Sequence, residues 1–359
     1  MNVTFVHGAR AVQPRVLQRR KARSCVCMKS ESASVKSTLI LASVPIAWST
    51  YNVAVRILYG LNIPPPAALL NLCNYVVSLS TFQFARFIQS GLGPAQPFAD
   101  DKLQEQPEDI SQAGFKSYAL AGLELGLYLF LGSTSQLESL KETSASRAAF
   151  LVQTTTIIVP LIQTVLGKES AARILPAAAL ACAGIFLFSA DESLSGLAST
   201  ALNRGDLYSL AAAFFYSLHV LRLGELSPRL SSTLNLARAK TVCQLGFSSV
   251  LTFATSSSAG NYILYLSKLS GSTSSIIVTV AGVLWLGIFT TAYPQWAQSY
   301  GQRVISPAVA SIVYSTQPLW SALLAFWLLH ESLPPKDILA GAAIVAASFL
   351  VIRDPVAKQ

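Results

Sequence analysis

Charged residues are scarce in this chain, and apolar residues are in excess. Asp, Glu, Lys and Arg make up 12% of the 359 residues, whereas hydrophobic residues make up 52%. Soluble domains carry about 25% charged residues, and a soluble core of this length cannot hide so much apolar surface. The composition therefore predicts a membrane protein whose main partner is the lipid bilayer.

Cysteine and histidine are also scarce, which argues against several kinds of site. The five cysteines and three histidines lack the spacings of a zinc site or a disulfide framework, so we predict no metal and no cofactor. The G-x-S-x-G and H-E-x-x-H motifs of hydrolases and zinc proteases are absent. We therefore predict that the chain is not an enzyme, and keep an intramembrane enzyme only as a lesser alternative.

Acidic residues are missing from the N-terminus until Glu31, whereas basic residues are frequent there. This pattern, without a long apolar run, is typical of an organelle transit peptide. We predict a transit peptide at 1–28, an N-terminal flank at 29–37 and a destination in the chloroplast envelope. A mitochondrial or other organelle membrane, and an unprocessed basic tail, stay open. Because the positive charge belongs largely to this leader, no nucleic-acid partner is expected.

Apolar stretches long enough to cross a bilayer recur throughout the rest of the chain. Backbone groups in lipid must be satisfied within the segment, so each stretch is expected to be a helix. We predict an all-α polytopic membrane protein with ten transmembrane helices, near 38–58, 65–86, 117–135, 145–166, 172–190, 206–223, 236–256, 274–294, 305–329 and 337–352.

An internal repeat divides these helices into two halves. Ser144, Ala148 and the pair Glu169-Ser170 recur 162 residues later as Ser306, Ala310 and Glu331-Ser332. Each copy ends a five-helix half, and because five is odd the second half lies inverted, as in alternating-access carriers. The predicted units are a first repeat at 38–190 with an acidic loop at 87–116, a linker at 191–205, a second repeat at 206–353 and a tail at 354–359.

Lys and Arg residues lie mostly on one side of the predicted membrane, including Arg222 and Lys240, which we assign to the loop between helices 6 and 7. The positive-inside rule then places both termini on the side from which the helices were inserted, in the stroma or the cytosol.

Several stretches resemble the EamA-type branch of the drug/metabolite transporter superfamily. They are Ala47 to Asn52 in the first helix, the glutamates that end helices 4 and 9, and the block from Gly122 to Pro160, which is similar to a plastid and cyanobacterial subgroup. The resemblance implies transport of a small polar metabolite by alternating access. Helix 10 has no basic residue before Arg353, unlike the sugar-phosphate exchangers of plastids, which argues against sugar phosphates.

Polar side chains inside the predicted spans are the candidate substrate contacts, because such residues usually face a cavity or a partner helix. Any single amide could equally join two helices by a hydrogen bond. The candidates are Asn52, Asn74, Gln153, His219, Gln244, Tyr293, Gln295, Tyr314 and Gln317, with Trp320 as an aromatic wall beside Tyr314.

Glu124 is the one acid predicted well inside a span. A lone carboxylate in hydrocarbon either takes up a proton or pairs with a cation, for which Arg56 and Arg147 are candidates. Protonation would allow proton-coupled transport, whereas an ion pair would leave Glu124 structural or gating. Gly122 and Gly126 around it predict a close helix contact. A multi-pass scaffold is the alternative function, and a homodimer stays open.

Overall fold

The computed structural model describes residues 14–92, 112–143, 148, 151–197, 203–255, 265, 267–269, 271–329 and 335–352. These residues are helical with short connections and contain no strand, which confirms the all-α prediction. The helices are α1 (Pro14–Tyr59), α2 (Ala67–Leu92), α3 (Gln112–Glu142), α4 (Thr155–Val165), α5 (Ala171–Leu197), α6 (Arg204–Leu226), α7 (Thr233–Thr255), α8 (Thr273–Trp285), α9 (Tyr293–Gly301), α10 (Pro307–Tyr314), α11 (Gln317–Leu329) and α12 (Pro335–Ile352), with a π-helix (Leu286–Ala292) between α8 and α9.

Every predicted span overlaps a described helix, but several helices extend further than predicted. The second helix reaches Leu92 and the fifth reaches Leu197, into the predicted loop and linker. Within the described residues, three segments are both long and apolar enough to cross a membrane: Val35–Tyr59, Arg204–Arg229 and Thr273–Gly301. The membrane character is thus supported, while the number of crossings stays a prediction.

The helix α3 packs tightly against α6 and α7. A Cβ atom on Gly122 would lie 2.7 Å from Ala239 Cβ, and one on Gly126 would lie 2.8 Å from the carbonyl oxygen of Lys240. Only glycine permits α3 and α7 to approach so closely, so the predicted close helix contact is confirmed. This contact brings the polar residues of α7 beside those of α3.

Helices from the two predicted repeats also pack on one another. The helix α5 runs along α12, and α4 lies against α10. Gly184 makes the first contact close, because a Cβ there would lie 2.8 Å from the carbonyl oxygen of Ala340. Of the repeat markers, Ala148 and Ala310 are both buried, while Ser144 and Glu331 lie outside the described residues. This packing is consistent with a pseudo-twofold relation, which stays a prediction.

Candidate functional site

A cavity of about 140 Å³ lies between the helices. At ~10–15 Å³ for each water molecule, it holds roughly ten waters. It lies near the middle of the three long spans, since Trp48, Tyr216 and Thr290 all line it. The described residues that line it are Trp48, Tyr51, Asn74, Tyr75, Leu129, Ser133, Gln136, Val152, Gln153, Thr155, Tyr216, His219, Val220, Gln244, Thr290, Thr291, Pro294, Gln295, Gln298, Tyr314 and Gln317.

Most of the polar residues predicted from the sequence meet at this cavity. They come from both predicted halves of the chain, although they are up to 243 residues apart in sequence, from 74 to 317. A polar side chain in a span turns away from lipid, and in this bundle the shared interior is the cavity. The predicted residues that line it are Asn74, Gln153, His219, Gln244, Gln295, Tyr314 and Gln317.

Two of the predicted residues lie elsewhere. The Tyr293 hydroxyl is hydrogen-bonded to that of Ser43 in α1, because its side chain points from α9 towards that helix. Trp320 lies in α11 and does not line the cavity. Its predicted place beside Tyr314 is taken by Trp48, whose ring lies 5.2 Å from the Tyr314 ring in an edge-to-face arrangement. The side chain of Asn52 lies outside the described part of the chain.

Amide side chains form a hydrogen-bonded layer along one wall. Gln295 donates to Gln244 over 2.7 Å and accepts from Thr241 over 3.1 Å. On another wall, Gln153 donates to Gln317 over 3.4 Å, and Gln317 donates to the carbonyl oxygen of Trp48 over 3.3 Å. Amides both donate and accept, so this lining can match hydroxyl, carbonyl, amine and carboxylate groups of a solute.

The π-helix between α8 and α9 shapes a further part of the lining. π-Helical turns are rare and are found frequently at functional sites. Here the turn presents Thr291, which donates to the side-chain oxygen of Asn74 over 3.0 Å. Gly287 allows the π-helix to lie close to α2, because a Cβ there would lie 2.4 Å from Val77 and 3.1 Å from the backbone carbonyl oxygen of Asn74.

Sequence reasoning missed three of the four tyrosines and two of the glutamines that line the cavity. Tyr75 is hydrogen-bonded to Ser133 over 2.5 Å, and Tyr216 donates to Gln136 over 2.8 Å. The available signal was position: tyrosine favours the interfaces of a membrane, so tyrosines in mid-span point to a polar interior. Gln136 and Gln298 were missed because both lie just beyond the predicted ends of their spans.

Glu124 is paired with Arg222, which was not among the candidate partners Arg56 and Arg147. Arg222 Nε donates to Glu124 Oε1, and Arg222 Nη2 donates to Glu124 Oε2 over 3.0 Å. Arg222 was assigned to a loop, but it lies in α6, which packs along α3. Arg147 and the side chain of Arg56 lie outside the described residues.

This ion pair joins the middle part of α3 to the C-terminal end of α6, since Arg222 lies in the last turns of Arg204–Leu226. Tyr118, about 9 Å away along α3 at 1.5 Å per residue, is hydrogen-bonded to Ser231 in the turn after α6. Glu225 joins the pair by accepting from Arg222 and from Lys168. The side chains of Glu124 and Arg222 are 30% and 40% exposed, and the residues of this cluster do not line the cavity.

Comparison with known proteins supports a transporter. Residues 203–353 match the model of the EamA-like transporter family. No curated protein matches the chain significantly in sequence. Among solved structures, 29 chains match significantly. One of them is a crystal structure that resembles this chain with a TM-score of 0.62 and 17% sequence identity. The alignment covers 88% of this chain and 97% of the other chain. At that identity the likeness shows the fold alone.

Proposed function

We propose that this protein is a carrier that moves a small polar organic metabolite across a membrane by alternating access. The observation that carries the proposal is the cavity, because polar side chains from both predicted halves line it near the middle of the long spans. Carriers built from inverted repeats bind their substrates at this depth. The EamA-like match over residues 203–353 gives the same class of function for the second half.

Two features support alternating access as the mechanism. The packing of α5 on α12 and of α4 on α10 joins corresponding helices of the two predicted repeats. Rocking of one half against the other about such contacts would open the cavity to each side in turn. The π-helix at Leu286–Ala292 adds a locally irregular backbone beside the cavity, of a kind that is frequent at functional sites.

Glu124 is not the coupling site in this proposal. Its carboxylate is held by Arg222 and accepts a hydrogen bond from Tyr128 over 3.4 Å. A carboxylate in such a pair has no need to take up a proton for charge neutrality. The cluster with Glu225 and Lys168 instead joins α3, α6 and the turn after α4. This suits a structural or gating role for Glu124, and the carrier is then a facilitator or an exchanger.

The basic leader supports a plastid envelope address, with both termini in the stroma or the cytosol. A C-terminal fluorescent fusion should mark the plastid envelope, and the mature protein should begin near Lys29. Fluorescence at the plasma membrane with Met1 intact would contradict the address but not the transport activity.

Reconstitution tests the proposed activity. Purified protein in liposomes is given a mixture of small metabolites, and uptake is read by mass spectrometry against empty liposomes. The variant Gln295→Leu removes an amide that lines the cavity and takes a hydrogen-bond partner from Thr241 and Gln244, so its uptake should fall tenfold or more. Ser249→Ala is the control, since that exposed hydroxyl bonds to its own helix. Uptake by the wild type no greater than in empty liposomes would refute the carrier.

A further inference from the structure

Lys240 is a buried basic residue with no carboxylate partner among the described residues. It lies in α7 and is 0% exposed. Its Nζ donates to the carbonyl oxygen of Gln295 over 3.2 Å and to Ser299 Oγ over 2.9 Å, and both of these oxygens are neutral. No ion pair joins it to an acid within the described chain. Buried charges are usually paired, because an unpaired one is strongly disfavoured by the loss of hydration.

Lys240 lies directly behind the cavity wall. Lys240 donates to the backbone carbonyl of Gln295. The side chain of Gln295 lines the cavity and is hydrogen-bonded to Gln244 and Thr241. His219 lines the cavity from α6, is 1% exposed, and has no hydrogen-bond partner at its buried Nε2. Lys240 thus contacts the backbone of a residue that lines the cavity, without lining the cavity itself.

The lining itself offers no charge to balance Lys240. The described residues that line the cavity include no Asp, Glu, Lys or Arg. Electrostatic attraction is stronger inside a protein than in bulk water, so a negative group in the cavity would be drawn towards the wall formed by α6, α7 and α9. One lysine can offset a single negative charge. A cationic solute would be repelled by this potential, and the described lining has no acidic residue to attract it.

We infer that the solute is an organic anion with a single net negative charge, carried by a carboxylate that lies against the Gln244, Gln295 and His219 wall and is balanced by Lys240. The inference rests on the proposed carrier function and narrows its substrate class. It is consistent with the lack of the basic pair used by sugar-phosphate exchangers, since one buried lysine matches a monovalent acid better than a phosphate dianion. Lys240 does not line the cavity, and its role is to set the charge preference of the cavity from behind the wall.

Charge-sorted uptake into proteoliposomes tests this assignment. The probes are pyruvate and glutamate as monoanions, uracil and glucose as neutral solutes, and arginine and choline as cations, each labelled and given alone. Lys240→Gln keeps a donor for Gln295 and Ser299 but removes the charge. Lys268→Gln is the matched control, because Lys268 is exposed and lies outside the cavity lining. Size-exclusion chromatography in detergent checks that each variant is folded.

The expected result is that the wild type takes up at least one monoanion ten times faster than any neutral or cationic probe. Lys240→Gln should lower that uptake at least tenfold, and Lys268→Gln should leave it unchanged. Faster uptake of neutral or cationic probes, or a folded Lys240→Gln variant with full anion uptake, would overturn the charge assignment and leave the carrier in place. No uptake of any probe or metabolite would overturn both. Should Lys240→Gln fail to fold, the wild-type ranking by charge decides.

Discussion

Replacing Gly126 by alanine tests the contact that holds α3 against α7. The new Cβ would lie 2.8 Å from both the carbonyl oxygen of Lys240 and Cys243 Cβ, and real Cβ atoms essentially never come within 3.0 Å of another heavy atom. A backbone oxygen cannot turn aside, so α7 must shift. Overpacking of this kind costs about 1–3 kcal/mol, against a gain of up to about 1 kcal/mol in helix propensity. We expect a net loss of about 1–2 kcal/mol.

Thermal unfolding of the purified proteins in one detergent measures this loss. The control is Gly246→Ala in α7, because Gly246 has no atom within 4 Å of its added Cβ and gains the same helix propensity without a clash. The Gly126 variant should melt a few degrees below the wild type, and the Gly246 variant should melt at or above it. Equal melting temperatures for the two variants would show that α3 and α7 are not in close contact at Gly126.

Three further changes test other parts of the structure. Glu124→Gln should lower the free energy of unfolding by about 1 kcal/mol or less, as is usual for a partly exposed ion pair, and should leave the pH dependence of uptake unchanged; loss of pH-driven uptake in a folded variant would make Glu124 a coupling site. Asn203→Ala removes the capping box that starts α6 and should cost about 1 kcal/mol in thermal unfolding, whereas an unchanged melting temperature would contradict that cap. Thr291→Val removes the hydrogen bond to Asn74 and should raise KM for uptake in a folded protein; an unchanged KM would separate the π-helix from substrate binding.

The helices were predictable from hydropathy, but their ends were not. An apolar run fixes where a helix crosses lipid, whereas polar residues beyond the run leave its end undefined. The described α3 continues to Glu142, past the predicted end at 135, and α9 ends at Gly301, past the predicted end at 294. Gln136 and Gln298 therefore fell outside the spans that were searched for candidate residues.

The candidate site was partly predictable for a related reason. Amides and histidine inside spans avoid lipid, and this rule alone selected most of the polar lining, including Gln244 and His219. The rule gives no information about which helices are neighbours, so it could not pair Glu124 with Arg222 on α6. The count of basic residues on each side of the membrane placed Lys240 in a loop, because a basic residue near a span end is normally solvated, whereas here the whole side chain is buried.

Accessibility of a cavity residue is the most direct test of alternating access. The five native cysteines are replaced by serine, and a single cysteine is introduced by Leu129→Cys, at a position that lines the cavity. Val250→Cys, at a side chain that is 69% exposed on the outer face of α7, is the control for a lipid-facing position. Both variants are treated in oriented proteoliposomes with a membrane-impermeant thiol reagent, added from one side and then from the other.

The Leu129→Cys variant should react from each side in separate experiments, and an excess of transported solute should slow both reactions, while the Val250→Cys variant stays unlabelled. The cavity then opens to both sides, and the solute occupies it. Failure of the Leu129→Cys variant to react from either side, or reaction that transported solute does not slow, would contradict a carrier with its binding site at this cavity.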